Sequence, residues 1–118
     1  MLKELLQYTS PLRHNDITQY EYLPTQLGSQ IKFINSENFD IEQTDLIILG
    51  CGEMRGQVRN GPYSNGPDLI RDQLYKLHFW HPDLIIGDIG NIIEGATLND
   101  TRAALRTVLT ELHLLNKK

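Results

Sequence analysis

Residues 49–71, "LGCGEMRGQVRNGPYSNGPDLIR", leave an apolar run, pass five glycines and two prolines, and enter a helix. Before them stands "DLIILG", Asp45–Gly50, an unbroken apolar run of the kind expected in a strand buried on both faces of a parallel sheet. After them "GPDLIR" opens a helix expected from about Pro67 to His78. Pro67 suits the first helical position, whose N–H has no partner in any case, and Asn65 or Gly66 can cap it. Ile70, Leu74 and Leu77 recur at i, i+4 and i+7 and form the expected buried stripe, with Asp68, Arg71 and Asp72 turned to water. A second apolar run, "DLIIGDIG" at Asp83–Gly90, follows. Strand, helix and strand in this order make a βαβ unit. The loops after both strands then emerge at the carboxyl edge of the sheet, where open α/β sheets bind ligands. A long irregular loop at that edge marks a binding or catalytic surface.

Working outward, "ATLNDTRAALRTVLTELHLLNKK" predicts a second helix. Thr97 and Asp100 have capping-box spacing, and Leu105, Val108, Leu109, Leu112 and Leu115 make its expected buried face. Upstream, residues 1–30 are polar and irregular, broken by Pro11, Pro24 and Gly28, although Leu2, Leu5 and Leu6 allow a short first helix. "QIKFIN" predicts an edge strand. The fold class is α/β with a parallel sheet. Residues 1–118 form one domain, with 1–30 irregular and 45–118 as a βαβα core, and no repeat, low-complexity tract or internal linker interrupts it.

A net charge of -4 and a pI near 5.5 argue against nucleic acid or an anionic membrane as partner. One cysteine, Cys51, excludes an internal disulfide framework and suits a reducing compartment. "MLKELLQYT" mixes charge with leucine, unlike a signal peptide, and no run approaches the roughly 20 apolar residues of a membrane span. A cytoplasmic protein is expected.

A glycine-rich loop between strand and helix first suggests a phosphate site, but the spacing fails. Arg55 stands where G-x-G-x-x-G needs its third glycine, and Pro67 and Asp68 stand where a phosphate loop needs Lys-Ser/Thr. His78 and His81 are three apart, yet Pro82 follows at once and no further ligand completes a metal site. The corner they occupy is expected to cover the core edge with Phe79 and Trp80. Cys51 follows a strand and could be a nucleophile, but no local feature of the sequence activates it, so a packing role is expected. Asp88 ends a buried strand, as a loop-capping carboxylate does. Glu53, Arg55, Arg59 and Asn60 lie on the loop at the ligand-binding edge and are either solvated or substrate-facing.

The order of these pieces resembles the ureohydrolases: arginase, agmatinase and formimidoylglutamase. The resemblance runs from about Asp45 to Leu115. It rests on a strand ending in "ILGCG", a loop with "RG" and "NG", the helix start "GPDLIR", and "DIGNI" after the next strand. Its structural positions are Gly66, Pro67, Ile70, Arg71, Asp88, Gly90 and Asn91. Asn91 departs from the family's usual Asp, and "GCGEMRG" is unlike arginase's loop, which favours formimidoylglutamase-like members. The resemblance implies a three-layer α/β/α hydrolase with two Mn²⁺ ions bridged by a hydroxide that attacks a guanidino or formimino carbon. The family's metal ligands lie in Gly-Gly-x-His, Asp-x-His-x-Asp and Ser-x-Asp-x-Asp segments. None of these occurs here, and His14, His78, His81 and His113 match none of them. The implied reading is the N-terminal part of a manganese ureohydrolase without its metal centre. No catalytic or metal-binding residue is assigned in this chain, and Glu53, Arg55 and Asn60 are candidate contacts on the substrate rim. Its expected partners are the C-terminal part of the same polypeptide and further copies in a homo-oligomer. In that fold the Asp45–Gly50 strand lies between the Asp83–Asp88 strand and a third one, and "QIKFIN" is the one segment that could cover its free edge. The alternative is a stand-alone α/β interaction or regulatory module without catalysis.

Overall fold

The computed structural model describes residues 2–11, 21–35, 37, 39–56 and 61–118. Their element order is α1 (Leu2–Tyr8), β1 (Thr9–Ser10), β2 (Lys32–Phe33), β3 (Leu46–Gly50), α2 (Gly66–Leu74), β4 (Ile86–Ile92) and α3 (Leu98–Leu114). The result is a compact mixed α/β protein built on a four-stranded sheet. Strand β4 is central. It pairs in parallel with β3 (Leu46 opposite Ile86, Ile48 opposite Asp88) and with β2 (Phe33 opposite Asp88), and antiparallel with β1 (Thr9 opposite Ile92). Asp88 faces both β2 and β3, and Asn91 faces both β1 and β3. Strand β3 therefore holds one edge of β4, while β1 and β2 follow one another along the other edge. "QIKFIN" supplies β2, which pairs with β4 and leaves the outer edge of β3 uncovered by that segment.

Successive side chains of β3 point to opposite faces of the sheet, and a core cluster lies on each face. Ile47 and Leu49 join Leu5, Ile34, Ile89, Ile92, Val108 and Leu112, which brings in α1 and α3. Leu46 and Ile48 join Leu27, Ile31, Tyr75 and Ile86, which brings in α2. Leu46–Leu49 are only half-buried, against the expectation of a strand buried on both faces; among the described residues no strand covers their outer side. Helix α3 starts as expected: Thr97 Oγ1 accepts from Asp100 N–H at 3.2 Å and Asp100 accepts from Thr97 N–H at 3.0 Å, a complete capping box. Of its predicted face, Val108 and Leu112 are buried, Leu105 and Leu115 are half-buried, and Leu109 stands out to solvent.

The largest correction concerns α2. It is shorter than predicted, and of the expected stripe only Leu74 packs against the core. Ile70 is 67% and Leu77 58% exposed, whereas Arg71 is 2% and Tyr75 0% exposed. Asp88 lies inside β4 and not at the end of a strand as expected, and its buried carboxylate has Arg71 of this helix as its counter-charge. Two smaller expectations also fail. Trp80 is 77% exposed and stacks on His81, with ring centroids 4.0 Å apart, so only Phe79 packs against the core. Cys51 is exposed, not packed. Among the described residues no helix is long and apolar enough to cross a membrane.

Candidate functional site

The carboxyl edge of the sheet is held by a buried polar network. Arg71 reaches from α2 to Asp88 on β4 as a two-pronged pair, Nε to Oδ2 at 2.8 Å and Nη2 to Oδ1 at 3.0 Å. Its remaining hydrogens go to Asn91 Oδ1 at 2.6 Å, Gly90 O at 3.0 Å and Asp68 Oδ1 at 3.2 Å. Asp88 also accepts from the Tyr75 hydroxyl and from Gly90 N–H at 2.9 Å. The carboxylate is thus surrounded by donors, as a buried charge must be. Burial, and then the neighbouring Asp88 charge, push the Tyr75 phenol well above its ordinary range. Asn91 uses both ends of its amide, accepting from Arg71 and donating to Asp68 Oδ1 at 3.0 Å. An Asp at position 91 could not make the second bond.

Two glycines let the backbone close around this network. Gly90 has φ +86°, and a Cβ there would sit 2.1 Å from Ser10 O. A Cβ on Gly50 would sit 1.9 Å from Asn91 Oδ1. Both positions exclude larger residues on contact grounds, and Gly90 also on conformation.

A second assembly ties the glycine-rich loop to the loop after β4. Arg55 bonds Glu53 through Nε at 2.9 Å and Nη2 at 2.6 Å, and reaches Gly95 O at 2.9 Å and Ala96 O at 3.0 Å. Side-chain bonds from Arg55 hold the Glu53 carboxyl down to about 2. The Tyr63 hydroxyl donates to Ile92 O, fixing the later part of the same loop. Beside the Glu53–Arg55 pair lies a cleft of about 280 Å³, lined by Cys51, Gly56, Leu98, Thr101, Arg102 and Leu105 as well as the pair itself.

The structure therefore brings the candidate rim residues Glu53 and Arg55 together, but facing each other. Arg55 bonds Glu53 and two carbonyls while lining the cleft, so the pair shapes its wall. Asn60 and Arg59 lie outside the described residues. No protein-family model, curated protein or solved structure matches the chain. The sequence reading missed the partnership of Arg71 with Asp88 and Tyr75. The signal was present: Arg71 and Tyr75 are four apart and share a helix face, and a carboxylate in a buried apolar strand needs a cation.

Proposed function

We propose that this chain is the N-terminal portion of a manganese ureohydrolase-like enzyme that cleaves a guanidino or formimino C–N bond. In this reading the chain forms part of a three-layer α/β/α arrangement in a cytoplasmic protein and supplies the scaffold and rim of the cleft. One observation carries the reading. The two segments on which the resemblance rests, "GPDLIR" and "DIGN", close on each other through Arg71, Asp88 and Asn91 at the ligand-binding edge of the sheet. The residues present do not fit the manganese ions. The ligand segments are absent from the sequence, His78, His81 and His113 are exposed, and the oxygens of Asp88 are occupied by Arg71, Tyr75 and Gly90. The metal centre and the C-terminal part of the enzyme would belong to the same polypeptide. What this chain contributes is position: the Glu53–Arg55 clamp joins the two loops that frame the cleft, and Asn60 is the remaining rim candidate.

The test has two arms. The 118-residue chain should bind Mn²⁺ at no stoichiometric site in titration calorimetry and hydrolyse neither arginine, agmatine nor formiminoglutamate. The natural reading frame beyond Lys118 should encode Gly-Gly-x-His and the later ligand segments. A micromolar Mn²⁺ site in the isolated chain would overturn the division of labour. A natural stop codon after Lys118 would favour the stand-alone module.

A further inference from the structure

The cleft beside the Glu53–Arg55 pair has two walls. One is the loop after β3, with Cys51 and Gly56, and the other is the first half of α3, with Leu98, Arg102 and Leu105. The bonds from Arg55 to Gly95 O and Ala96 O hold the loop beside the start of α3. Gly56 keeps the space between them open. Its φ is +99°, and a Cβ there would meet Leu98 Cδ2 at 2.9 Å and come within 3.6 Å of Arg102 Nη2, so any side chain would crowd the cleft. The acids around it are engaged: Glu53 and Glu94 with Arg55, and Asp100 in the capping box of α3. Among the described residues the Arg102 guanidinium has no hydrogen-bond or ion-pair partner. One uncompensated cation therefore lines a cleft whose other α3 residues include two leucines.

We propose that this cleft binds a small aliphatic carboxylate, its charge on the Arg102 guanidinium and its hydrocarbon on Leu98 and Leu105. A guanidinium presents parallel donors that match the two oxygens of a carboxylate. A volume of about 280 Å³ lies at the lower end of the range for ligand pockets, which suits a body of few carbons. Phosphate is the poorer fit, because its larger charge would meet a single guanidinium and it would leave both leucines uncovered. The proposal concerns this chain by itself and does not rest on the reaction above.

Cys51 is the one cysteine of the chain and lines the cleft, so its alkylation reports whether the cleft is filled. Its rate of reaction with neutral iodoacetamide is followed by mass spectrometry, with and without hexanoate at constant ionic strength. Hexanoate should slow it at least about threefold, half-maximally at roughly millimolar concentration, as befits one exposed ion pair and a short apolar body. Hexanamide and inorganic phosphate should leave the rate unchanged. Arg102→Gln should remove the effect of hexanoate, whereas Arg106→Gln, one turn further along α3 and outside this cleft, should keep it. In the unaltered chain the Arg102 Nε–H resonance should shift over the same hexanoate concentrations. No slowing by hexanoate, equal slowing by hexanamide, or slowing that survives Arg102→Gln would overturn the proposal. So would protection by phosphate, since the cleft would then take anions at large. Neither metal binding nor hydrolysis enters the readout, so this site and the reaction proposed above fail separately.

Discussion

At the residue scale, the network around Asp88 decides how α2 sits on the sheet. Its buried pair converts into a stability prediction, because removing one partner strands the other's charge out of water. Asp88→Asn should cost about 3–5 kcal/mol in denaturant unfolding. A loss under about 1 kcal/mol would mean that Asp68, the partly exposed acceptor of Arg71, satisfies the guanidinium alone. Tyr75 adds a pH dependence. Its folded-state pKa is raised, so the folded protein keeps the phenolic proton where the unfolded chain, with a pKa near 10, loses it. Stability from this group is complete below about pH 10 and falls as pH rises beyond it. The advantage of the wild type over Tyr75→Phe should hold up to about pH 10 and shrink above it, and a constant difference would contradict the assignment. From the sequence, Asp88 was expected to end its strand and cap a loop; β4 instead runs on to Ile92, and the carboxylate of Asp88, inside the strand, is taken up by Arg71, Tyr75 and Gly90 N–H. The place of Arg71 was not legible, because amphipathic counting sends every arginine to water and takes no account of a buried anion.

At the element scale, apolar spacing located the two longer strands and the two later helices but did not say which face each presents. Helix α3 has its apolar stripe and its packed face nearly in register; α2 does not. Leu112→Ala should therefore cost about 2–5 kcal/mol, as truncation of a buried leucine does. Ile70→Ala should stay within about 0.5 kcal/mol, like other surface changes, despite its place in a good stripe. Equal losses at the two positions in urea unfolding would mean that α2 is rotated relative to this description. The capping box was fully legible because its two bonds are local. The Glu53–Arg55 clamp was not, since it needs the carbonyls of Gly95 and Ala96, some forty residues on. Its depressed carboxyl sets an acid limb. The contribution of Glu53 is present above the ordinary glutamate value near 4.3 and is lost as pH falls through about 2. The Glu53 carboxyl carbon should still report the charged form at about pH 3, and Arg55→Gln should return its midpoint to near 4.3. An unmoved midpoint would remove Arg55 as the cause.

At the scale of the whole molecule, Asp45–Gly50 was expected between two other strands, whereas β4 holds that place. The α/β class was legible, because continuous apolar strands and periodic helices are properties of short windows. That β1 and β2 share one side of β4 was not, because both are two-residue strands whose pairing is set by distant partners. The exposed corner after α2 carries its own consequence, an optical one. The chain has one tryptophan, and Trp80 is 77% exposed and stacked on His81. Its indole is in water before unfolding as well as after, so its emission wavelength should hardly move when the core melts. Tyr75, at 0% exposure and edge-on to Tyr22 and Phe33, is held in a fixed asymmetric setting and should dominate the near-ultraviolet circular dichroism. A denaturant titration followed by tryptophan wavelength would miss the transition that dichroism records, and a large blue-shifted emission in the native protein would show that something covers the corner.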